Sequence, residues 1–360
     1  MHPELINHTP FALSLLYIGR EPDGLLHGVA LMQATWRIGR GGELQLVEMQ
    51  PAPPAGGQWY GDPATSSLRA EPQTAAAKPG VDIVMLGHAV APGAQPVRML
   101  GVTLAVGELR KQAVVFGDRE LGRGLVGLTM STPQPFERLP LVYERAFGGW
   151  DRRHQDPAQH RCEMRNPVGL GFRDARLGAC VEARLPNIED PAHPFKPGGP
   201  PPPPCGFGFV AAGWMPRASL AGTFDGEWQR TRSPLLPLDF DPRFHNAASP
   251  GLVAPALRGD EPVLIEGMSA DGPCRFTLPG IPAPWCGWSL RRRERQRAPL
   301  KLDTVIIDMD QRWLQLQWRG CWALPDGPHA LQALEARLPT NLGPAASATL
   351  AAAPAAAGMA

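Results

Sequence analysis

Between residues 131 and 246 proline interrupts nearly every apolar run. The blocks that remain are short and rich in glycine, aromatic and acidic residues: PFERLPLVYERAFGG at 135–149, NPVGLGF at 166–172, LPNIE at 185–189, GTFDGEW at 222–228 and LPLDFDPRFHNAA at 236–248. Proline fixes φ and removes a backbone donor, while glycine reaches angles closed to other residues, so this density breaks helices and central strands alike. The whole chain shares the bias, with 42 Pro and 40 Gly among 360 residues, well above ordinary usage. A stretch of irregular chain this long in a compact protein is functional or a linker. Its aromatic content argues against disorder, because disordered segments are poor in such residues.

On either side of this stretch the pattern is that of strands. Residues 11–18, 28–38 and 43–49 are apolar or alternating runs, with Arg40-Gly41-Gly42 as a turn between the last two. A Pro/Gly-rich loop over 51–63 precedes a buried strand over 81–90. Residues 99–106 and 110–116 form a hairpin around Gly107-Glu108, with Val102, Leu104 and Val106 on one face and Thr103 and Ala105 on the other. Strands resume at 263–267 and 274–278, and a second hairpin, 302–308 with 313–318, turns at Met309-Asp310-Gln311. Leu331, Leu334 and Leu338 recur at three- and four-residue spacings, which predicts an amphipathic helix over 327–338. Gly198 to Pro204 reads as an exposed polyproline arm, and the Ala-rich tail as disordered.

The expected fold is therefore mainly β: two packed antiparallel β sub-domains, sandwich or barrel-like, with long ordered loops and a short C-terminal helix. An N-terminal β sub-domain takes residues 1–130, a loop-rich β sub-domain of the same unit takes 131–340, and the tail takes 341–360.

A formal net charge of +1 supplies no global field for nucleic acid or an anionic membrane, which leaves protein or small-molecule partners. The opening MHPELINHTPF lacks the regions of a signal peptide, and no apolar run approaches a membrane span, so the expected compartment is the cytoplasm. Six cysteines (162, 180, 205, 274, 286 and 321) occur without a CxxC pair, the pattern of buried free thiols rather than a disulfide scaffold or zinc ribbon.

Three groups of residues carry chemistry in principle. Asp225 with Glu227, Asp239 with Asp241, and Asp260 with Glu261 read as turn caps accepting backbone N–H bonds, or else as a general acid and base for hydrolysis or as calcium ligands. His154, His160 and Cys162 lie close in sequence but among Arg152, Arg153, Arg161 and Arg165, charges that disfavour a cation. The run Arg291-Arg292-Arg293, with Arg295 and Arg297, reads as a solvated loop or a site for phosphate or an acidic protein surface. GRGLVG at 122–127 lacks the Lys-Ser/Thr of a phosphate loop, and no GxSxG or HExxH occurs. Trp150, Trp214, Trp228, Trp285, Trp288 and Trp322 sit in Pro/Gly-rich surroundings rather than clean strands, serving either the core or a protein-binding face.

The blocks from 135 to 248, preceded by Asn7-His8-Thr9-Pro10-Phe11, Lys78-Pro79-Gly80-Val81-Asp82 and Phe116-Gly117-Asp118-Arg119, resemble in order and content the type VI secretion-associated bacterial family catalogued as domain of unknown function 2169. The resemblance covers nearly the whole chain apart from the tail. It implies a non-catalytic cytoplasmic adaptor or chaperone that binds an effector or a PAAR-like tip protein, with the spike protein a further partner, and helps load it onto the spike. It implies no cofactor, no metal, and no nucleic-acid or membrane partner. The candidate partner-binding residues it marks are Phe147, Gly148, Gly149, Asn166, Pro167, Gly169, Gly171, Phe172, Pro186, Asn187, Glu189, Thr223, Asp225, Trp228, Asp239, Phe240 and Asp241, some of which serve loop architecture. A hydrolase of carbohydrate or peptide using Asp225, Glu227, Asp239 or Asp241, and a structural component of the spike, stand as alternatives.

Overall fold

The computed structural model describes residues 3–19, 21–54, 56–125, 127–177, 183–290 and 295–351. Its architecture is mainly β, built from several mostly antiparallel sheets, with no closed barrel. The largest sheet has seven strands. Six run in the order Ala12–Ile18, His27–Ile38, Trp313–Ala323, Lys301–Asp308, Val81–Leu86 and Val253–Ala254, and Leu44–Leu46 adds to the side of His27–Ile38. Pairing is antiparallel throughout except between Lys301–Asp308 and Val81–Leu86, which run parallel. A five-stranded antiparallel sheet follows the order Ile188–Glu189, Leu109–Phe116, Met99–Val106, Pro262–Glu266 and Cys274–Thr277.

Alternation dictates how the seven-stranded sheet buries itself, since neighbouring residues of a strand point to opposite faces. Register puts Trp36 beside Leu314, Ala34 beside Leu316 and Met32 beside Trp318, and all six are buried. Phe11 stacks on Trp318 with ring centres 5.9 Å apart and meets Trp36 edge-on at the same distance. The same apolar cluster includes Val102, Leu104, Val263 and Ile265 of the five-stranded sheet. Strands from both sides of the boundary expected at 130 and 131 lie side by side within the large sheet, and one cluster of buried side chains includes residues of both stretches.

Both expected hairpins form, as Met99–Val106 with Leu109–Phe116 and as Lys301–Asp308 with Trp313–Ala323. Five expectations need correction. The strand expected over 81–90 is broken at Gly87, whose φ of +130° turns the chain so that His88–Val90 pairs instead with Arg138–Pro140. The helix expected over 327–338 is a short 3-10 turn followed by the strand Leu331–Arg337, which lies between Glu4–Asn7 and Trp285–Leu290. Helix propensity and leucine spacing yield there to pairing on both edges. Trp285, Trp288 and Trp322 lie within strands, and Trp288 stacks on Trp322 at 4.8 Å. The proline arm is exposed only over 198–201, since Pro202 is buried. Part of the tail expected to be disordered forms a helix, Pro344–Ala351, with Ala346 fully buried; the remainder, 352–360, lies outside the described residues. Among the described residues no helix is long and apolar enough to cross a membrane.

Candidate functional site

The candidate residues fall into two bonded groups. In the first, Phe147–Gly148 and Leu170–Gly171 form a parallel two-residue pairing. Gly148 has φ +153° and Gly149 φ +93°, and a side chain on either would meet a backbone oxygen, of Asn166 or Gly169, at 2.2 Å. Glycine is required there by conformation and by space. Asn166 is fully buried, and its amide donates to the carbonyls of Tyr143 at 2.8 Å and Phe147 at 3.0 Å. Pro167 and Gly169 complete this turn, and a Cβ on Gly169 would lie 2.3 Å from the Asn166 amide nitrogen. Phe172 meets Phe147 edge-on at 6.4 Å.

The block 185–189 ties this turn to the strand end at Phe116. The Asn187 amide donates to the Phe116 carbonyl at 3.1 Å and to Asp118 at 3.0 Å, and Arg145 donates to Asp118 at 2.8 Å. The Asn187 hydrogen bond, with Arg145 and Arg184 nearby, holds the Asp118 carboxyl below the usual carboxylate range against a smaller opposing effect of burial. Arg119 lies over the Phe116 ring at 3.8 Å, pairs with Glu189, and donates to the Pro186 carbonyl at 2.6 Å. Glu189 also accepts from the Phe195 N–H at 3.0 Å. Asn166, Pro186, Asn187 and Glu189 are all buried, so they hold the loops and present nothing outward.

The second group is a lobe over 222–245. Asp225 caps the helix Gly226–Thr231 by accepting the Trp228 N–H at 2.8 Å. The Trp228 indole donates to the Leu235 carbonyl at 2.9 Å and meets Phe224 edge-on at 4.7 Å. Asp239 accepts from the Thr223 N–H at 2.9 Å and hydroxyl at 2.7 Å. Asp241 caps the 3-10 turn Pro242–His245 and pairs with Arg243, while Phe240 meets Phe244 at 5.5 Å. The Thr223 bonds lower the Asp239 carboxyl below its ordinary range, and Arg243 does the same for Asp241. These bonds make both carboxylates turn caps, as their sequence context predicts. Glu261 does likewise, accepting the N–H groups of Arg258 and Gly259.

The remaining candidates separate. The His160 ring N–H donates to the His154 carbonyl, 3.1 Å away, and the His154 ring accepts the Asp156 N–H. Among the described residues no three His, Cys, Asp or Glu converge to hold a metal ion. Glu120–Arg123 pairs antiparallel with Leu128–Met130, so the glycine-rich segment at 122–127 lies between paired strands rather than between a strand and a helix. Arg291, Arg292 and Arg293 lie outside the described residues, as does Cys180.

Residues 23–319 match the profile of a family described as an uncharacterized protein conserved in bacteria (DUF2169). The chain belongs to this family. No curated protein and no solved structure matches it. The family match spans both groups of loops, the seven-stranded sheet except for Ala12–Ile18 and the end of Trp313–Ala323, and the Lys78 block. In that block the fully buried Asp82 accepts from Lys78 at 2.8 Å, the Asn246 amide at 3.0 Å, and the N–H groups of Ala247 and Ala248. Two stretches of this family chain far apart in sequence, KPGVD and HNAA, are thereby bonded as one unit.

Sequence reasoning named Trp150 as a residue of the core or of a binding face but passed over its neighbours Met164 and Met215, and it missed a second feature altogether. The first feature is a set of exposed apolar side chains mounted on the fixed loops: Trp150 (47% exposed), Met164 (52%) and Met215 (37%). Trp150 pairs with Cys162, and the Met215 N–H donates to the Met164 carbonyl at 2.9 Å, which places all three on neighbouring segments. Phe224 and Leu238 are exposed on the lobe, flanking the Thr223–Asp239 bonds. The other feature is a cavity of about 530 Å³ over the polar face of the seven-stranded sheet. The signal for it was the alternation of Gln315 and Gln317 with Leu314 and Leu316.

Proposed function

We propose that this chain is a non-catalytic cytoplasmic adaptor or chaperone of a type VI secretion system, which binds an effector or PAAR-like tip protein and assists its loading onto the spike. The secretion assignment rests on the resemblance carried by the ordered blocks from Asn7 to Asp241. The observation that carries the binding role is the exposure of Trp150, Met164 and Met215 on loops whose backbone is fixed by buried glycines and asparagines. Aromatic residues and methionine are enriched at protein interfaces, and a rigid backbone spares the entropy of ordering a loop on binding. The buried members of the candidate set act through this face by holding its shape.

The hydrolase alternative, using Asp225, Glu227, Asp239 or Asp241, draws less support, because Asp225, Asp239 and Asp241 each accept backbone N–H bonds within turns of the lobe. An affinity pull-down of the tagged protein from its native cells, with mass spectrometry of the bound fraction and of the culture supernatant, tests the reading. Recovery of a toxin or spike-tip protein, with the bait confined to the cells, is the expected result. A bait found in the supernatant would favour a spike component instead, and no specific partner would count against the adaptor.

A further inference from the structure

The inner strands of a sheet are ordinarily apolar where covered, yet one face here is polar across three adjacent strands. Register lays Gln33, Gln317 and Thr304 in one row, Thr35, Gln315 and Ile306 in the next, and Arg37, Trp313 and Asp308 in the third. The chain over 51–78 forms a wall above them through Gln58, Arg69, Glu71 and Gln73, enclosing the 530 Å³ cavity. That volume lies within the range of small-molecule sites.

Charges around this space are matched within the chain. Lys78 pairs with Asp82 and donates to Thr304 at 3.0 Å, Glu71 pairs with Arg217, and Arg69 lies 3.7 Å from Asp308. What is left over is amide. Gln33 takes the Gln317 amide N–H at 2.8 Å and donates to the Pro51 carbonyl. Gln317, only 2% exposed, keeps its side-chain oxygen without a donor in the chain. That oxygen is sealed beneath the floor of the cavity, whereas Gln58, Gln311 and Gln315 line it and are only partly buried or exposed. The backbone groups of these inner strands are spent on the sheet, so an extended peptide finds no free edge here.

We propose that this cavity binds a neutral sugar of one or two pyranose rings. Amides both donate and accept, as vicinal hydroxyls do, so Gln315 on the floor and Gln58 on the wall serve the ring hydroxyls. The half-buried Trp313 indole supplies the apolar surface on which a pyranose C–H face packs. A charged sugar is disfavoured, since each ionic side chain of the wall already has its counter-charge. The proposal is independent of the adaptor reading.

The test is saturation-transfer NMR of the full chain with glucose, galactose, N-acetylglucosamine, maltose and chitobiose, and with maltotetraose and chitotetraose. At least one sugar is expected to bind; binding of the small sugars marks a free-sugar site, and binding of the tetramers alone marks recognition of a glycan end. Gln315→Leu and, separately, Trp313→Leu should each weaken that sugar about tenfold or more, with thermal unfolding followed to show that at least one variant remains folded. No binding across the panel overturns the proposal, as does a sugar whose affinity neither variant changes.

Discussion

Asp82 shows how much of this molecule rests on single side chains that reach across the sequence. Its carboxylate is fully buried and is answered by Lys78, itself 5% exposed, and by three further donors from Asn246 to Ala248. Removing one member of a buried ion pair leaves the other charge uncompensated, so Asp82→Ala should destabilise the fold by about 3–5 kcal/mol, read from the denaturant midpoint. His245 gives a second test. Burial, then the positive charges of Arg217, Arg319 and Lys78, pushes its imidazole down to about 4, from an ordinary value near 6.5 in the unfolded chain. The unfolded state therefore binds the proton first. The contribution to stability is complete above pH 6.5 and is lost as the pH falls from there through about 4, with roughly 2 kcal/mol gone between pH 7 and pH 5. Urea unfolding at those two pH values checks this, and His245→Gln should remove most of the difference. The capping roles of Asp225, Asp239 and Asp241 were legible in sequence, because a cap acts on residues beside it or, for Asp239, on one turn of the same lobe. The role of Asp82 was not, because apart from Lys78 its partners lie more than 160 residues away in sequence.

At the scale of elements, local signals were sufficient where the partner strand is the next one along. The hairpins at 99–116 and 301–323 read directly from alternation and a turn. The strand Leu331–Arg337 did not, since its composition favours helix and its partners include the N-terminal Glu4–Asn7. The loop knot was legible as a set of glycines and asparagines needing special backbone, and the structure supplies the reason at each. Gly148→Ala should destabilise by about 1–3 kcal/mol, because the added methyl would stand 2.2 Å from the Asn166 carbonyl oxygen at a φ of +153°. Differential scanning calorimetry would measure it, and Gly122→Ala, with open space about its Cβ, is the control expected to change little. The cavity was written in the glutamines of Trp313–Ala323, but only the register with His27–Ile38 and Lys301–Asp308 turns three alternating strands into one polar floor.

At the scale of the whole molecule, the large sheet draws strands from both ends of the chain. Val81–Leu86 lies parallel to Lys301–Asp308, a pairing between stretches over 200 residues apart that no local pattern announces. One consequence is a scaffold in which loops from the middle of the chain are clamped to strands from both ends. Those loops carry the exposed Trp150, Met164 and Met215, and the adaptor reading requires that this face seize the partner. The measurement that tests it most directly is the pull-down repeated with Trp150→Ala combined with Met164→Ala, both surface changes that should leave the melting temperature nearly unchanged. Loss of the effector or tip protein from the bound fraction, about tenfold or greater, is the predicted result; undiminished capture by a folded double variant would contradict it.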